Sequence, residues 1–177
     1  MLKTPAKYKR LESNWYVLRT RSRHEKAVQK DLQELGIENF LPVWWKESHW
    51  SDRKKMVEEP FFPGYIFVRI VLARRYDKVR QVTGAVDLVK LGMQPAKVKE
   101  DTIKTLKIIV AAEANPFSAN LKYRKGDFVR VETGPLKGAR GIVTAQQSKR
   151  YLQIYLDEIS KGIMVRISKG SVRKLYR

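Results

Sequence analysis

The side chains most capable of chemistry are few and poorly arranged for catalysis. The 177-residue sequence has no cysteine, which removes disulfides, thiolate nucleophiles and cysteine-based zinc sites together. Its two histidines, His24 and His49, stand far apart without a patterned acidic partner, so each reads as a solvated or capping residue and no metal is expected. Two acidic pairs, Glu58 with Glu59 and Asp157 with Glu158, are adjacent in sequence, and on a strand adjacent side chains turn to opposite faces. No P-loop, nucleophile elbow or HExxH pattern is present. The expectation is a binding protein, not an enzyme, with no cofactor.

Positive charge, by contrast, is abundant. Lysine and arginine number 37 against 18 aspartates and glutamates, a formal net charge of +19. Such a field attracts polyanions. Nucleic acid is the leading partner, because the chain shows neither the amphipathic basic helix nor the lipidation signal that an anionic membrane surface would call for. Its longest apolar stretches, 63–72 with Arg69 inside it and 108–112, are too short to span a bilayer, and the N-terminus lacks a leader-length apolar segment. These features predict a cytoplasmic protein with no membrane partner, and a monomer.

Three basic groups are candidates for nucleic acid: Arg19, Arg21 and Arg23; Arg53, Lys54 and Lys55; and Arg74, Arg75, Lys78 and Arg80, with Tyr76 among them. Guanidinium groups and a tyrosine suit stacking on single-stranded bases, and a solvated charged face is the plain alternative for any one of them. Set against this charge is EEPFFPGYIFV at 58–68, where aromatics gather beside two carboxylates and are broken by Pro60, Pro63 and Gly64. So small a domain can hardly bury Trp15, Trp44, Trp45, Trp50 and all these aromatics, which favours a docking surface over a core for the group. Glu58 and Glu59 either offset the positive field beside that patch or form a solvated pair.

The elements that must position these residues are legible from periodicity. WYVLR at 15–19 reads as a strand, and SRHEKAVQKDLQELG as a helix opened by a Ser22/Glu25 capping box, apolar at Val28, Leu32 and Leu35 and closed by Gly36. NFLPVWW at 39–45 and GYIFVRIV at 64–71 read as a hairpin joined by a long basic loop. RRYDKVRQV is a short helix, AVDLVKL a strand, and EDTIKTLKIIVAAEA a helix with Ile103, Leu106 and Ile109 or Val110 facing a sheet. The order β-α-β-β-α-β-α predicts an α+β sandwich over residues 1–112. Residues 113–122, rich in Ala, Asn, Ser and Pro, read as a linker. Beyond it, residues 123–177 are short strands punctuated by glycines, the pattern of a five-stranded SH3-like barrel.

WYVLRTRSRHEKAVQKDL, PFFPGYIFV and KGDFVRVETGPLKGARGIV, in that order and spacing, resemble the NusG family of transcription elongation factors, which have an N-terminal NGN domain and a C-terminal KOW domain. HWSDRKKMVEEPFFPGYIFV and VKLGMQPAKV look closer to the specialised RfaH and UpxY paralogues, which act on selected operons, than to the housekeeping factor. The resemblance implies docking on the clamp of RNA polymerase through Phe61, Phe62, Pro63, Tyr65 and Phe67, completed by Ile103 and Leu106. It places positions matching Arg75, Tyr76, Asp77 and Lys78 at the non-template DNA strand of the transcription bubble. It makes a small-subunit ribosomal protein or Rho the partner of the KOW domain, whose turns carry Gly134, Pro135, Gly138 and Gly141. Because this half is glycine-rich and β-branched, no switch to a helical form is expected. The rival reading is a ribosome-associated KOW protein that binds RNA, which would not need an aromatic docking run.

Overall fold

The computed structural model describes residues 12–50, 53–114, 117–118, 128–146, 149–167 and 172–175, with the backbone alone at 48–50, 53–54, 117–118, 145–146, 149–150 and 174. In chain order the first elements are β1 (Asn14–Thr20), α1 (Glu25–Glu34), β2 (Glu38–Phe40), β3 (Val43–Trp50), β4 (Arg53–Pro60), β5 (Tyr65–Ile70) and α2 (Leu72–Arg80). They are followed by β6 (Ala85–Leu88), β7 (Lys90–Leu91), β8 (Gln94–Pro95), β9 (Lys97–Val98) and α3 (Glu100–Ala111). The rest is β10 (Phe117–Ser118), β11 (Phe128–Val131), β12 (Arg140–Gln146), β13 (Lys149–Leu156), a short 3-10 turn at Asp157–Ile159, β14 (Lys161–Ile167) and β15 (Val172–Lys174).

Two units form. One takes in the described residues up to Phe40 together with Gly64–Lys97; the other takes in Leu41–Pro63 and the described residues from Val98 onward. They do not follow a division at residue 112, and of the linker expected at 113–122 only 113, 114, 117 and 118 are described.

The first unit is built on a sheet of order β2-β5-β1-β6, with β9 beside β1. Strands β1 and β5 are antiparallel from Asn14 opposite Ile70 to Arg19 opposite Tyr65. Both are central, and both are buried on both faces: Trp15 through Leu18 and Ile66 through Val68 are at most 2% exposed. Strands covered on both sides read as continuous apolar runs, so alternation cannot assign their faces. Helix α1 adds Val28 and Leu32 to the core, whereas Leu35 lies past the helix end and is exposed. Gly36 closes the helix as the sequence predicts, at φ +63°, with the Ile37 N–H donating to the Leu32 carbonyl at 2.9 Å. The Ser22/Glu25 capping box is not made; His24 is the N-cap and makes no side-chain capping bond.

The expected hairpin is half right. Strand β2 does pair with β5, Phe40 opposite Phe67, and the two rings stack at 6.2 Å. The basic loop between them, however, is itself two strands, β3 and β4, paired along their whole length from Val43 opposite Pro60 to Trp50 opposite Arg53. This ribbon belongs to the second unit, as does α3. It takes Trp44 half out of the interior and leaves Trp45 51% exposed. Glu59 pairs with Lys46 at 3.0 Å on one side of it, while Glu58 stands opposite Trp45.

The second unit also holds a six-stranded antiparallel sheet of order β10-β14-β13-β12-β11-β15, one strand more than expected because β10 arises inside the predicted linker. Its core includes Val129, Val131, Leu152, Leu156, Ile163 and Val165. Gly134 and Gly138, at φ +81° and +92°, make the turn between β11 and β12. Gly141 is not a turn residue. It lies within β12, where a Cβ would come 2.4 Å from the Gln153 carbonyl oxygen of β13, so only glycine allows the strands to pair. Asp157 and Glu158 sit on the 3-10 turn rather than on a strand. Burial pushes the Glu158 carboxyl above its ordinary range, and the charge of Asp157 adds to this.

Helix α3 lies against β12 in this unit. Its buried Thr105 hydroxyl accepts the Arg140 N–H at 3.1 Å, and Asp101 pairs with the Arg140 guanidinium at 2.5 Å. Ile103, Leu106 and Ile109 are buried, matching the apolar face read from the sequence.

Candidate functional site

Burial divides the expected docking residues. Phe61, Phe62, Phe67, Ile103 and Leu106 are each 6% exposed or less. In this structure they are covered, where the sequence reading expected an exposed surface. Phe61 and Phe62 meet edge to face at 6.5 Å, and the Phe61 N–H donates to the Pro42 carbonyl at 2.8 Å. What remains accessible is the turn itself, with Pro63 exposed and Gly64 and Tyr65 half-buried.

That turn is held firmly. Gly64 adopts φ +85°, a conformation open to glycine, with no atom within 4 Å of where a Cβ would stand. Its carbonyl accepts the Thr20 N–H at 2.8 Å, and its N–H donates to Glu25 Oε1 at 2.6 Å. Glu25, the first residue of α1, is only 6% exposed. The sequence assigned this carboxylate to a capping box; it serves a turn 39 residues away instead.

The same end of the sheet carries the basic loop. Arg19, Arg21 and Arg23 are all exposed, Arg23 at φ +62°. The Arg21 N–H donates to the Gly84 carbonyl at 2.8 Å. His24 packs on Gly84 so closely that a Cβ there would lie 2.9 Å from the histidine side chain. Its Nδ1 lies 2.9 Å from the Ser22 carbonyl oxygen.

On α2, Arg74, Lys78 and Arg80 are exposed while Arg75 and Tyr76 are half-buried; Val79 is the buried anchor. Tyr76 is not an open stacking platform. Its hydroxyl donates to Asp87 Oδ1 of β6 at 2.8 Å, and the Arg80 guanidinium lies 5.4 Å from its ring centre. Asp87, which sequence reading missed, is the hub: it also meets Arg80 at 3.6 Å and Lys90 at 2.9 Å and accepts the Leu88 N–H. Burial alone would raise the Asp87 carboxyl, but the bonds from Lys90, Tyr76 and Leu88 outweigh it and hold the group below the ordinary range. Lys90 is raised in return by Asp87. Of the third basic group, Lys55 is exposed on β4; the side chains of Arg53 and Lys54 lie outside the described residues.

Among the described residues no group of acids and histidines could hold a metal ion, and no helix is long and apolar enough to cross a membrane. The site is thus a surface: a turn held at Gly64 by Glu25 and Thr20, a loop with Arg19, Arg21 and Arg23 exposed, and a basic helix tied to β6 through Asp87.

Comparison with known proteins agrees with this architecture. The transcription termination/antitermination protein NusG of Borreliella burgdorferi is 21% identical over 180 residues, covering 91% of this chain and 98% of its own. The protein of that description from Thermus thermophilus is 25% identical over 154 residues, covering 77% and 84%. A Thermotoga maritima NusG structure, solved in a study of domain interaction, superposes with a TM-score of 0.54 at 22% identity over 94% of this chain, which supports the fold. The model of the family described as transcription termination factor nusG matches residues 13–107, more than half of the sequence, and the chain therefore belongs to the NusG family.

Proposed function

We propose that the chain rides on elongating RNA polymerase, docks on the clamp through the turn at Pro63, Gly64 and Tyr65, and turns Arg19, Arg21, Arg23 and the basic face of α2 toward the non-template DNA strand. By bridging polymerase and nucleic acid it modulates pausing and termination. The observation that carries this reading is the pairing, within a member of this family, of a hydrogen-bonded turn with Pro63 exposed and Tyr65 half-buried and exposed cations at the same end of the sheet. Residues 1–112 form the polymerase-binding domain, 113–122 the linker and 123–177 a KOW domain of SH3-like barrel form. The six-stranded antiparallel sheet and the glycine turn at 134–138 support the last assignment. Its partner is a small-subunit ribosomal protein or Rho.

The strong basic charge and the HWSDRKKM and VKLGMQPAKV segments favour a specialised paralogue acting at selected operons. A general NusG role is the second reading, favoured by the descriptions of the relatives. The test is retention of core RNA polymerase by the full chain and by Tyr65→Ala. Loss of retention in the variant, with its melting profile unchanged, supports docking through the turn; equal retention rejects it.

A further inference from the structure

The buried carboxylate of Glu25 is more than a helix-terminal acid. An acid in the first turn gains from the helix dipole wherever it points, and an exposed one would serve that purpose. Glu25 is instead 6% exposed and aims Oε1 at one backbone N–H, that of Gly64, at 2.6 Å. With the Gly64 carbonyl taken by the Thr20 N–H, both backbone polar groups of this glycine are held from β1 and α1. The residue on one side, Pro63, is exposed, and the one on the other, Tyr65, is half-buried and begins β5. A glycine at φ +85° with open space around it has no steric reason to keep one conformation. Beside Pro63 before it and the Tyr65–Arg19 pairing after it, the two hydrogen bonds restrain this glycine directly.

We infer that Glu25 is a positioning residue for the docking turn: its carboxylate holds the Gly64 peptide so that Pro63 and Tyr65 are presented in the conformation that binds polymerase. This rests on the docking role proposed above. It adds a consequence, because the same carboxylate stands directly after the loop bearing Arg21 and Arg23, so the protein-facing turn and the cationic loop share one anchor.

The test uses the full chain and four variants, Glu25→Ala, Glu25→Gln, Tyr65→Ala and the Glu25→Ala/Tyr65→Ala double, at a temperature where all are folded. Hydrogen exchange of the Gly64 amide is expected to speed up at least about tenfold in Glu25→Ala, as a local opening no longer opposed by the bond. Affinity for core polymerase is expected to fall about tenfold in Glu25→Ala and about threefold in Glu25→Gln, which keeps an uncharged acceptor of the same shape. The double variant is expected to lose clearly less than the sum of the two single losses, because Glu25 acts through the turn to which Tyr65 belongs. Should Tyr65→Ala weaken binding while Glu25→Ala does not, the docking role stands and the positioning role is overturned. Additive losses in the double variant overturn it as well, since they mark a general structural effect. Unchanged binding in Tyr65→Ala removes the docking role and this inference with it, and an unaltered Gly64 exchange rate in Glu25→Ala contradicts the clamp whatever polymerase does. If Glu25→Ala fails to fold, Glu25→Gln carries the same comparison.

Discussion

Replacing Tyr76 by phenylalanine removes one oxygen from the centre of the α2–β6 contact and leaves the ring, with Arg80 beside it, in place. The lost bond runs 2.8 Å from the hydroxyl to a carboxylate. A hydrogen bond to a charged partner contributes about 1.5–3 kcal/mol. Asp87 is 29% exposed at its side chain, and water and the Lys90 and Arg80 cations compensate part of the loss. About 1 kcal/mol is left after this discount. For a chain of this length that corresponds to a melting midpoint lower by about 2–4 °C. The assay is calorimetric or circular-dichroism melting of both proteins in low salt, repeated from neutral pH down to the lowest pH at which the chain still melts cooperatively. The sign follows from Asp87. Its carboxyl is depressed in the folded chain, so its contribution is fully present above the ordinary aspartate value of the unfolded chain and is lost as pH falls through the lower folded one. The gap between the two midpoints is therefore constant near neutrality and narrows in acid. Equal midpoints at neutral pH, or a gap that persists unchanged in acid, would refute the hub.

Two further outcomes follow from the same geometry. Gly141→Ala must push β12 away from the Gln153 carbonyl and is expected to cost at least about 2 kcal/mol and expose the C-terminal sheet to protease, whereas Gly134→Ala, strained only by its backbone angle, costs about 1–2 kcal/mol; proteolysis and melting distinguish them. Arg75→Ala and Lys78→Ala are each expected to lower the salt slope of single-stranded DNA binding by about 0.7, the share of one phosphate contact; an unchanged slope would make them a solvated face.

Much of this fold is written locally. Val28 and Leu32 fall on one helical face, Gly36 sits one residue past the C-cap, and Ile103, Leu106 and Ile109 repeat at helical spacing, so these elements are readable from neighbours alone. What could not be read depends on distant partners. Glu25 and Gly64, like Asp101 and Arg140, are 39 residues apart, and nothing in either segment names the other. Asp87 looks like one acid in an ordinary strand until β6 sets it beside Tyr76. The β3–β4 ribbon was missed because KESHWSDRKK lacks the apolar alternation that a core-facing hairpin would show. Phe62 and Phe67, which the resemblance places at a docking surface, are buried, because the burial of a side chain beside a bend depends on partners that local sequence does not name. Phe62→Ala is accordingly a core truncation, expected to cost about 3–5 kcal/mol, and cannot report on docking alone.

A chain of net charge +19 retains many polyanion-bearing complexes for trivial reasons, so docking through the turn calls for a binding measurement that salt can dissect. That measurement is an equilibrium titration of the full chain and Tyr65→Ala with core RNA polymerase free of nucleic acid, over a series of salt concentrations. Docking through the turn predicts saturable binding that survives at the high-salt end and weakens by about tenfold or more in Tyr65→Ala, as expected when an interface anchor is truncated. Binding that vanishes with added salt and is indifferent to Tyr65 would contradict it, leaving charge alone as the source of the attraction.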